Sequence, residues 1–452
     1  DQDLFVANGH IDEDIERFGP QATYAQRHLF YLNDGQGHFA EATDQAGPGL
    51  AQPGVGRGSA VSDYDNDGAG DLFIAGVSRN ILYRNLGNGT FEDVTARTGL
   101  AHTGAGRKPW SVSAGWFDYD NDGLLDLFVV NYCVWTPETD PPCTIGKTRT
   151  YCHPKYYQGL PNELYHNNGD GTFTNVAASS GIAAHIGKGM GLAFLDYDRD
   201  GKLDVFVAND TVPNFLFHNE GGGRFREVGL RAGVAFNEDG RALSSMGVDA
   251  RDLDNDGLED LWVSANANET FPLFRNLGKG LLMDITYPSG LGRQTMAATG
   301  WSNGIFDFNN DGHKDLFVAC SAIDDNTEAF SNRKSKQANR VFANLGILQF
   351  ADVSAAAGKD FQQLGAHRGA GLALEALQVA GRQGRRDRQG LQRALALGQL
   401  AVDGQAQGAR GGDQLLLVAP LALAVLGAGQ QGHEHDGRGD QAKRHDQQPP
   451  SD

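Results

Sequence analysis

Apolar and polar positions alternate along this chain in short runs, and one succession of runs keeps returning. An apolar stretch rich in Phe, Val and Leu follows each acidic cluster: Leu72-Phe-Ile-Ala, Leu127-Phe-Val-Val, Val205-Phe-Val-Ala, Leu261-Trp-Val-Ser and Leu316-Phe-Val-Ala. Such runs are too short for helices and have the β-branched and aromatic content of buried strands. Downstream comes a second strand-like phrase ending in Asn-x-Gly-x-Gly, as in Asn80-ILYRNLGNGTF, Asn162-ELYHNNGDGTF and Asn214-FLFHNEGGGRF. Weaker copies start at Phe30, Leu273 and Val341. Turns of this type need positive φ, so each phrase predicts a hairpin.

Between the strands stands a nine-residue acidic loop, first written Asp63-Tyr-Asp65-Asn-Asp67-Gly68-Ala-Gly-Asp71. Its positions 1, 3, 5 and 9 recur as Asp118, Asp120, Asp122 and Asp126; as Asp196, Asp198, Asp200 and Asp204; and as Asp252, Asp254, Asp256 and Asp260. The fifth copy has Asp307, Asn309, Asp311 and Asp315. Alternate residues of a tight loop point the same way, so these carboxylates converge and repel. A hard cation with oxygen ligands removes that cost, and Ca²⁺ accepts six to eight oxygens. One copy alone also reads as a solvated turn; five in register predict about five Ca²⁺ sites. The position 7 carbonyls of Ala69, Leu124, Lys202, Leu258 and His313 complete each expected ligand set. Asn309 supplies a neutral oxygen, so the Asp307 loop is expected to bind most weakly. An EF-hand would place a bidentate Glu at position 12. Here that position is Ile74, Val129, Val207, Val263 and Val318, which excludes it.

The first aspartates fall at 63, 118, 196, 252 and 307, giving spacings of 55, 78, 56 and 55. A repeat of that length holding four short strands predicts a β-propeller blade. A β-helix has a far shorter period. The loop, the LFVAN-type strand and the Asn-x-Gly-x-Gly-x-Phe turn together resemble the FG-GAP/VCBS repeats of the integrin α-like propellers. Asn131-YCVWTPETDPPCTIGKTRTYCHPKYYQGLPNELYHNN further resembles the insertion of the cartilage acidic protein and ASPIC/UnbV branch. The resemblance covers about residues 1–370. It implies an all-β, seven-bladed propeller of four-stranded blades with Ca²⁺ in the loops, of which about six blades are recognisable here. Fold alone implies little about activity.

The chain carries 57 acidic against 38 basic residues, a formal charge of −19. That balance argues against nucleic acid, whose phosphates require Lys and Arg. Three of the four cysteines, Cys133, Cys143 and Cys152, lie in the long repeat; Cys320 lies apart. A disulfide Cys143–Cys152 is expected to staple the Pro-rich insertion, and it predicts a secreted, periplasmic or cell-surface location. A zinc site using His153 is the competing reading, weakened by the lack of a CxxC pair. His153, His166, His185 and His218 read as surface residues rather than ligands.

Both ends depart from the repeat. Asp3-Leu-Phe-Val-Ala-Asn aligns as position 9 and the strand of a sixth loop whose front is missing, so a truncated start is expected. After about residue 373 no blade motif appears where a seventh loop is due near 375. One choice of codons for Arg382–Arg388, read in a shifted frame, encodes Gly-Lys-Val-Asp-Ala-Ile, so 374–452 reads as an out-of-frame or natural low-complexity tail. This tail is expected to be irregular or weakly helical, beside a 1–373 propeller. Leu415–Gly429 is apolar, but a membrane span needs about 20 residues and Pro420 interrupts it. Arg438-Gly439-Asp440 is explained by composition. No Gly-x-Ser-x-Gly elbow or HExxH helix occurs.

These readings predict a non-enzymatic, Ca²⁺-binding module that takes a protein or glycan partner. The alternative is an enzyme or enzyme accessory of the UnbV type with its active site outside these residues. A binding module should present Trp135, Tyr151, Tyr156 and Tyr157 on the insertion.

Overall fold

The computed structural model describes residues 2–9, 25–36, 38–101, 110–358, 362–365 and 422–427. Six four-stranded antiparallel sheets form the blades of a β-propeller. Blades two to six follow one order, innermost strand first. Blade two is Gly56–Ser62, Asp71–Gly76, Ile81–Asn85 and Phe91–Asp93. Blade three is Ser111–Phe117, Asp126–Asn131, Glu163–Asn167 and Phe173–Asn175. Blade four is Gly189–Leu195, Asp204–Asn209, Phe215–Gly221 and Arg224–Glu227. Blade five is Val248–Arg251, Asp260–Val263, Leu273–Asn276 and Leu282–Asp284. Blade six is Gly300–Phe306, Asp315–Cys320, Arg340–Asn344 and Phe350–Asp352.

The apolar runs are the second strands. Every residue of Asp71–Gly76, Asp126–Asn131, Asp204–Asn209 and Asp315–Cys320 is buried, because neighbouring blades cover both faces of the sheet. This is why these strands lack polar alternation. The core accordingly lies between blades. Phe73, Leu82 and Tyr64 of blade two pack with Leu127, Tyr165 and Phe173 of blade three, and Trp262 and Phe271 of blade five pack with Leu316 and Phe342 of blade six. Near the axis the first strands approach so closely that some positions admit no side chain. A Cβ on Gly58, Gly191 or Gly247 would lie 2.2, 2.3 or 2.2 Å from a carbonyl of the next blade.

Blade one departs from the irregular or weakly helical expectation at six tail residues, the only ones of 374–452 described. Its order is Ala422–Gly427, Gln2–Ala7, Leu29–Asn33 and Phe39–Glu41. Six tail residues therefore form a strand, antiparallel to Gln2–Ala7 from Gln2↔Gly427 to Ala7↔Ala422. The physical reason is edge satisfaction: without an innermost strand, Gln2–Ala7 would leave backbone groups unpaired. The short apolar run inside Leu415–Gly429 fills the place. Chain shortened at residue 373 is expected to lose amide protection across Gln2–Ala7 in hydrogen exchange, whereas unaltered protection would show that this strand adds nothing. The seventh loop near 375, the Arg382–Arg388 segment and Arg438-Gly439-Asp440 lie outside the described residues.

The long repeat owes its length to the connection between the second and third strands of blade three. It carries a small hairpin, Thr144–Ile145 with Thr148–Arg149, closed by the Cys143–Cys152 disulfide with Cα atoms 5.2 Å apart. The disulfide removes the zinc reading, since both thiols are consumed; Cys133 and Cys320 are buried free thiols. The insertion reaches blade six. The Tyr151 N–H donates to Asp324 Oδ1 at 2.8 Å and Asn326 Nδ2 donates to the Arg149 carbonyl at 2.8 Å. Blades four and five lie between these partners in sequence, so the insertion crosses one end of the propeller. Its aromatics are less exposed than the sequence suggested. Tyr156 is 60% exposed, but Trp135 is buried, and its Nε1–H donates to Asp140 Oδ1 at 3.0 Å. Among the described residues no helix is long and apolar enough to cross a membrane.

Candidate metal centre

Each acidic loop joins the first and second strands of its blade, so all five open at the same end of the propeller. The backbone of the loop is fixed by two left-handed residues. Position 6 is always glycine, at φ 89, 87, 83, 86 and 88°. Position 4 is also left-handed, in Asn66, Asn121, Arg199, Asn255 and Asn310. Asparagine tolerates that region better than most residues, which explains its recurrence there.

The four ligand positions are not equivalent. The position 1 carboxylate accepts the backbone N–H groups of positions 5 and 6, as Asp63 does from Asp67 at 3.0 Å and Gly68 at 2.8 Å. Asp118, Asp196, Asp252 and Asp307 repeat the pair. Position 9 is buried. Asp71 accepts from Tyr64 N at 3.1 Å and Asn85 N at 2.8 Å, and Asp126, Asp204, Asp260 and Asp315 do the same in their blades. Burial raises the position 9 carboxyls to about 7 in Asp71, Asp204 and Asp260 and about 6 in Asp126 and Asp315, against the backbone hydrogen bonds that lower them. Neighbouring loop carboxylates add to the rise. Asp3, which precedes Leu4-Phe-Val-Ala as the position 9 aspartates precede their strands, keeps the same duty by accepting from Asn33 N at 2.9 Å.

Positions 3 and 5 face the centre of the loop. Ligand oxygens of Asp63, Asp65 and Asp71 lie within 4.8 Å of one another, as do those of Asp118, Asp120 and Asp122, and of Asp196, Asp198 and Asp204. Two position 3 oxygens, Asp65 Oδ1 and Asp198 Oδ1, are buried without any hydrogen-bond partner. A buried anionic oxygen left unpaired is costly, and an all-oxygen donor set with such orphans fits a hard cation. The side chains of positions 1, 3, 5 and 9 would hold it, and the cation would neutralise their mutual repulsion.

The sequence reading missed one residue at four of the five loops. In blades two to five the third-strand residue just before the recurring Asn points into the loop. Arg84 donates to Asp65 at 2.6 Å and Asp67 at 2.7 Å, and Arg275 lies 2.6 Å from Asp254. His166 lies 3.3 Å from Asp126 and 3.6 Å from Asp120. His218 lies 3.1 Å from Asp204 and 3.7 Å from Asp198. In blade six the place is held by Ala343. His166 and His218 are thus half-buried neighbours of the loops rather than surface residues, and period-two register within Tyr-Arg-Asn, Tyr-His-Asn and Phe-His-Asn was the available signal. His153 is exposed and accepts from Lys155 N at 3.1 Å. His185 packs on Phe215 and Phe217.

The sequence matches the FG-GAP-like repeat over residues 63–129, 157–207, 196–263 and 252–318. The chain belongs to the FG-GAP-like repeat family. Human cartilage acidic protein 1 is 31% identical over 328 residues, covering 67% of this chain and 43% of the human protein. The Xenopus tropicalis protein of the same name is 31% identical over 168 residues, 35% of this chain and 25% of its own length. The chain spans less than half the length of these curated relatives. Among solved structures, a Lactobacillus plantarum protein superposes with a TM-score of 0.43 at 11% identity, over 82% of this chain and 84% of its own. A lectin of Agrocybe aegerita specific for non-reducing terminal N-acetylglucosamine gives a TM-score of 0.34 at 15% identity, over 77% and 88% of the two chains.

Proposed function

We propose that this propeller is a Ca²⁺-binding extracellular interaction module that takes a protein or glycan partner. The observation that carries the metal assignment is the orphaned oxygen at position 3, set among converging carboxylates in a repeated loop. Ca²⁺ suits it because the donors at positions 1, 3, 5 and 9 are all oxygen, and Ca²⁺ accepts six to eight oxygen ligands in a variable geometry. The disulfide supports a location outside the reducing cytosol, where Ca²⁺ is abundant. The family relationship to cartilage acidic proteins supports the same setting.

Calorimetric titration with Ca²⁺ tests the reading, with uptake at about five sites expected. No uptake at millimolar Ca²⁺ would overturn it. The loops should also differ. Asn309→Asp is expected to tighten the Asp307 loop by adding a charged ligand. Arg84→Ala is expected to tighten the Asp63 loop, because the guanidinium competes with the cation for Asp65 and Asp67. Each change should move one class of sites in the titration; two unchanged isotherms would mean that neither ligand charge nor Arg84 governs affinity.

A further inference from the structure

A cavity of about 280 Å³ lies between blades four and five, at the end where the acidic loops open. Tyr197, Val228 and Ala232 line it and are buried. Three cationic residues line it and are exposed. Arg226 stands on the fourth strand of blade four, Arg231 on the helical turn after it, and Lys279 on the outer hairpin of blade five. The elements that carry them are fixed. Asn276 Nδ2, at the base of the hairpin, donates to the Tyr197 carbonyl at 2.9 Å. A Cβ on Gly280 would stand 3.4 Å from the Tyr197 ring, and one on Gly233 only 2.5 Å from the Leu282 carbonyl, so blade five abuts blade four closely here.

The same three places are occupied differently in the other grooves. Counted from the recurring Asn of each blade, they hold Ala40, Gln45 and Asn88 between blades one and two, and Glu92, Arg97 and Asp170 between blades two and three. They hold Thr174, Ser179 and Gly222 between blades three and four, and Met283, Pro288 and Ile347 between blades five and six. In blade two Glu92 and Arg97 pair with each other at 3.0 Å; Arg226 and Arg231 cannot. Arg226 Nε donates to Glu220 Oε1 at 2.5 Å, while neither Arg231 nor Lys279 has an ion pair among the described residues. Lys279 holds a left-handed φ of 60°, as Gly222 does in blade four. The turn alone favours glycine there, and a lysine stands instead. The one carboxylate of the lining, Asp198, belongs to the acidic loop, its oxygen within 4.8 Å of those of Asp196 and Asp204.

Charge and shape together select the ligand. Guanidinium groups hold carboxylates through paired, charge-assisted hydrogen bonds. A chain of formal charge −19 repels an acidic partner over most of its surface, so a cationic groove fixes where such a partner docks. Apolar surface adjoins the cations: Leu281 on the lining is 50% exposed, and Leu230, next to Arg231 in the chain, is 72% exposed. A sulfated glycan would use the cations and leave these leucines uncovered. An acidic protein segment with apolar residues among its carboxylates covers both. We propose that this groove binds such a segment, one carboxylate entering the cavity against Arg231 and Lys279. This rests on the reading of the propeller as an interaction module and gives its partner a chemical class and a place.

Fluorescence anisotropy on the full chain at fixed Ca²⁺ tests it with a labelled peptide of glutamates interspersed with leucines. The peptide should bind. Its glutamine counterpart should bind about tenfold more weakly, and serine in place of leucine should weaken it severalfold. Arg231→Glu and Lys279→Glu should each weaken the glutamate peptide about tenfold or more; both side chains are exposed, so the fold is not at stake. Arg224→Glu makes the same change in net charge at an exposed place outside the cavity and should leave affinity within about twofold. Absence of peptide binding, equal binding of either altered peptide, or an equal loss in Arg224→Glu would overturn the inference. Heparin that binds more tightly than the peptide, and loses its hold in the same variants, would also overturn it by assigning the groove to a sulfated glycan. Ca²⁺ titration of the same samples separates the readings: intact Ca²⁺ uptake without peptide binding sinks this inference alone, and lost Ca²⁺ uptake in the unaltered chain sinks the metal reading alone.

Discussion

Chelation of divalent cations is expected to lower the thermal midpoint of this protein on the order of 10 °C or more. The loops bring charge together that folding alone does not neutralise. Two position 3 oxygens are buried without a partner, and the position 9 carboxyls are raised by burial and by their loop neighbours. A cation that binds only the folded state stabilises it by RT ln(1 + [L]/Kd), about 2.7 kcal/mol per site at a hundredfold excess over Kd. Several sites acting together give a shift of the stated size, because about 1 kcal/mol moves the midpoint by about 2–4 °C in domains of 150–250 residues. Mg²⁺ should restore less than Ca²⁺, since it demands a tighter octahedral shell and gives up its waters reluctantly. Calorimetric scans with and without chelator read the effect. An unchanged midpoint would mean that the aspartates shape turns only and hold no stabilising cation.

The periodic part of this fold was legible because each blade repeats the same physical problem. Leu72-Phe-Ile-Ala had to be a buried strand, and Gly68 had to be left-handed, before any neighbour was known. The residues that act across blades were not legible. Asn167 and Asn219 look like ordinary turn residues, yet their side chains reach a neighbouring blade. Arg84 and His166 looked solvated because facing an acidic loop depends on strand register. Trp135 reads as a surface aromatic and is buried against Trp110, which lies on a different connection. The contact of Tyr151 with Asp324 spans 173 residues and leaves no local trace. The Ala422–Gly427 strand was masked by its composition: an apolar run outside the repeat has no period to announce it, and only the open edge of Gln2–Ala7 selects it.

Asn219→Ala is expected to cost about 3 kcal/mol or more, because it strands several buried backbone groups at once. Asn219 is fully buried at the end of a third strand. Its Nδ2 donates to the Tyr119 carbonyl of blade three at 2.8 Å and to the Leu203 carbonyl of its own blade at 3.2 Å. Its Oδ1 accepts from Gly221 N at 3.0 Å, which shapes the hairpin. The same arrangement recurs: Asn167 binds Tyr64, Asn276 binds Tyr197, and Asn344 binds Leu253, each a carbonyl of the preceding blade. The repeated asparagine is therefore a fastener between blades as well as a turn residue. Truncation leaves the Tyr119 and Leu203 carbonyls and the Gly221 N–H without this partner. Asn88→Ala, at an exposed hairpin position whose bonds are local to Thr90, should cost less than about 1 kcal/mol. Urea unfolding compares the two, and hydrogen exchange locates the damage. Protection should fall in the Asp118–Asp126 loop of blade three as well as in blade four. If Asn219→Ala loosens only the hairpin around Gly221 and leaves blade three protected, the side chain serves its turn alone and does not couple the blades.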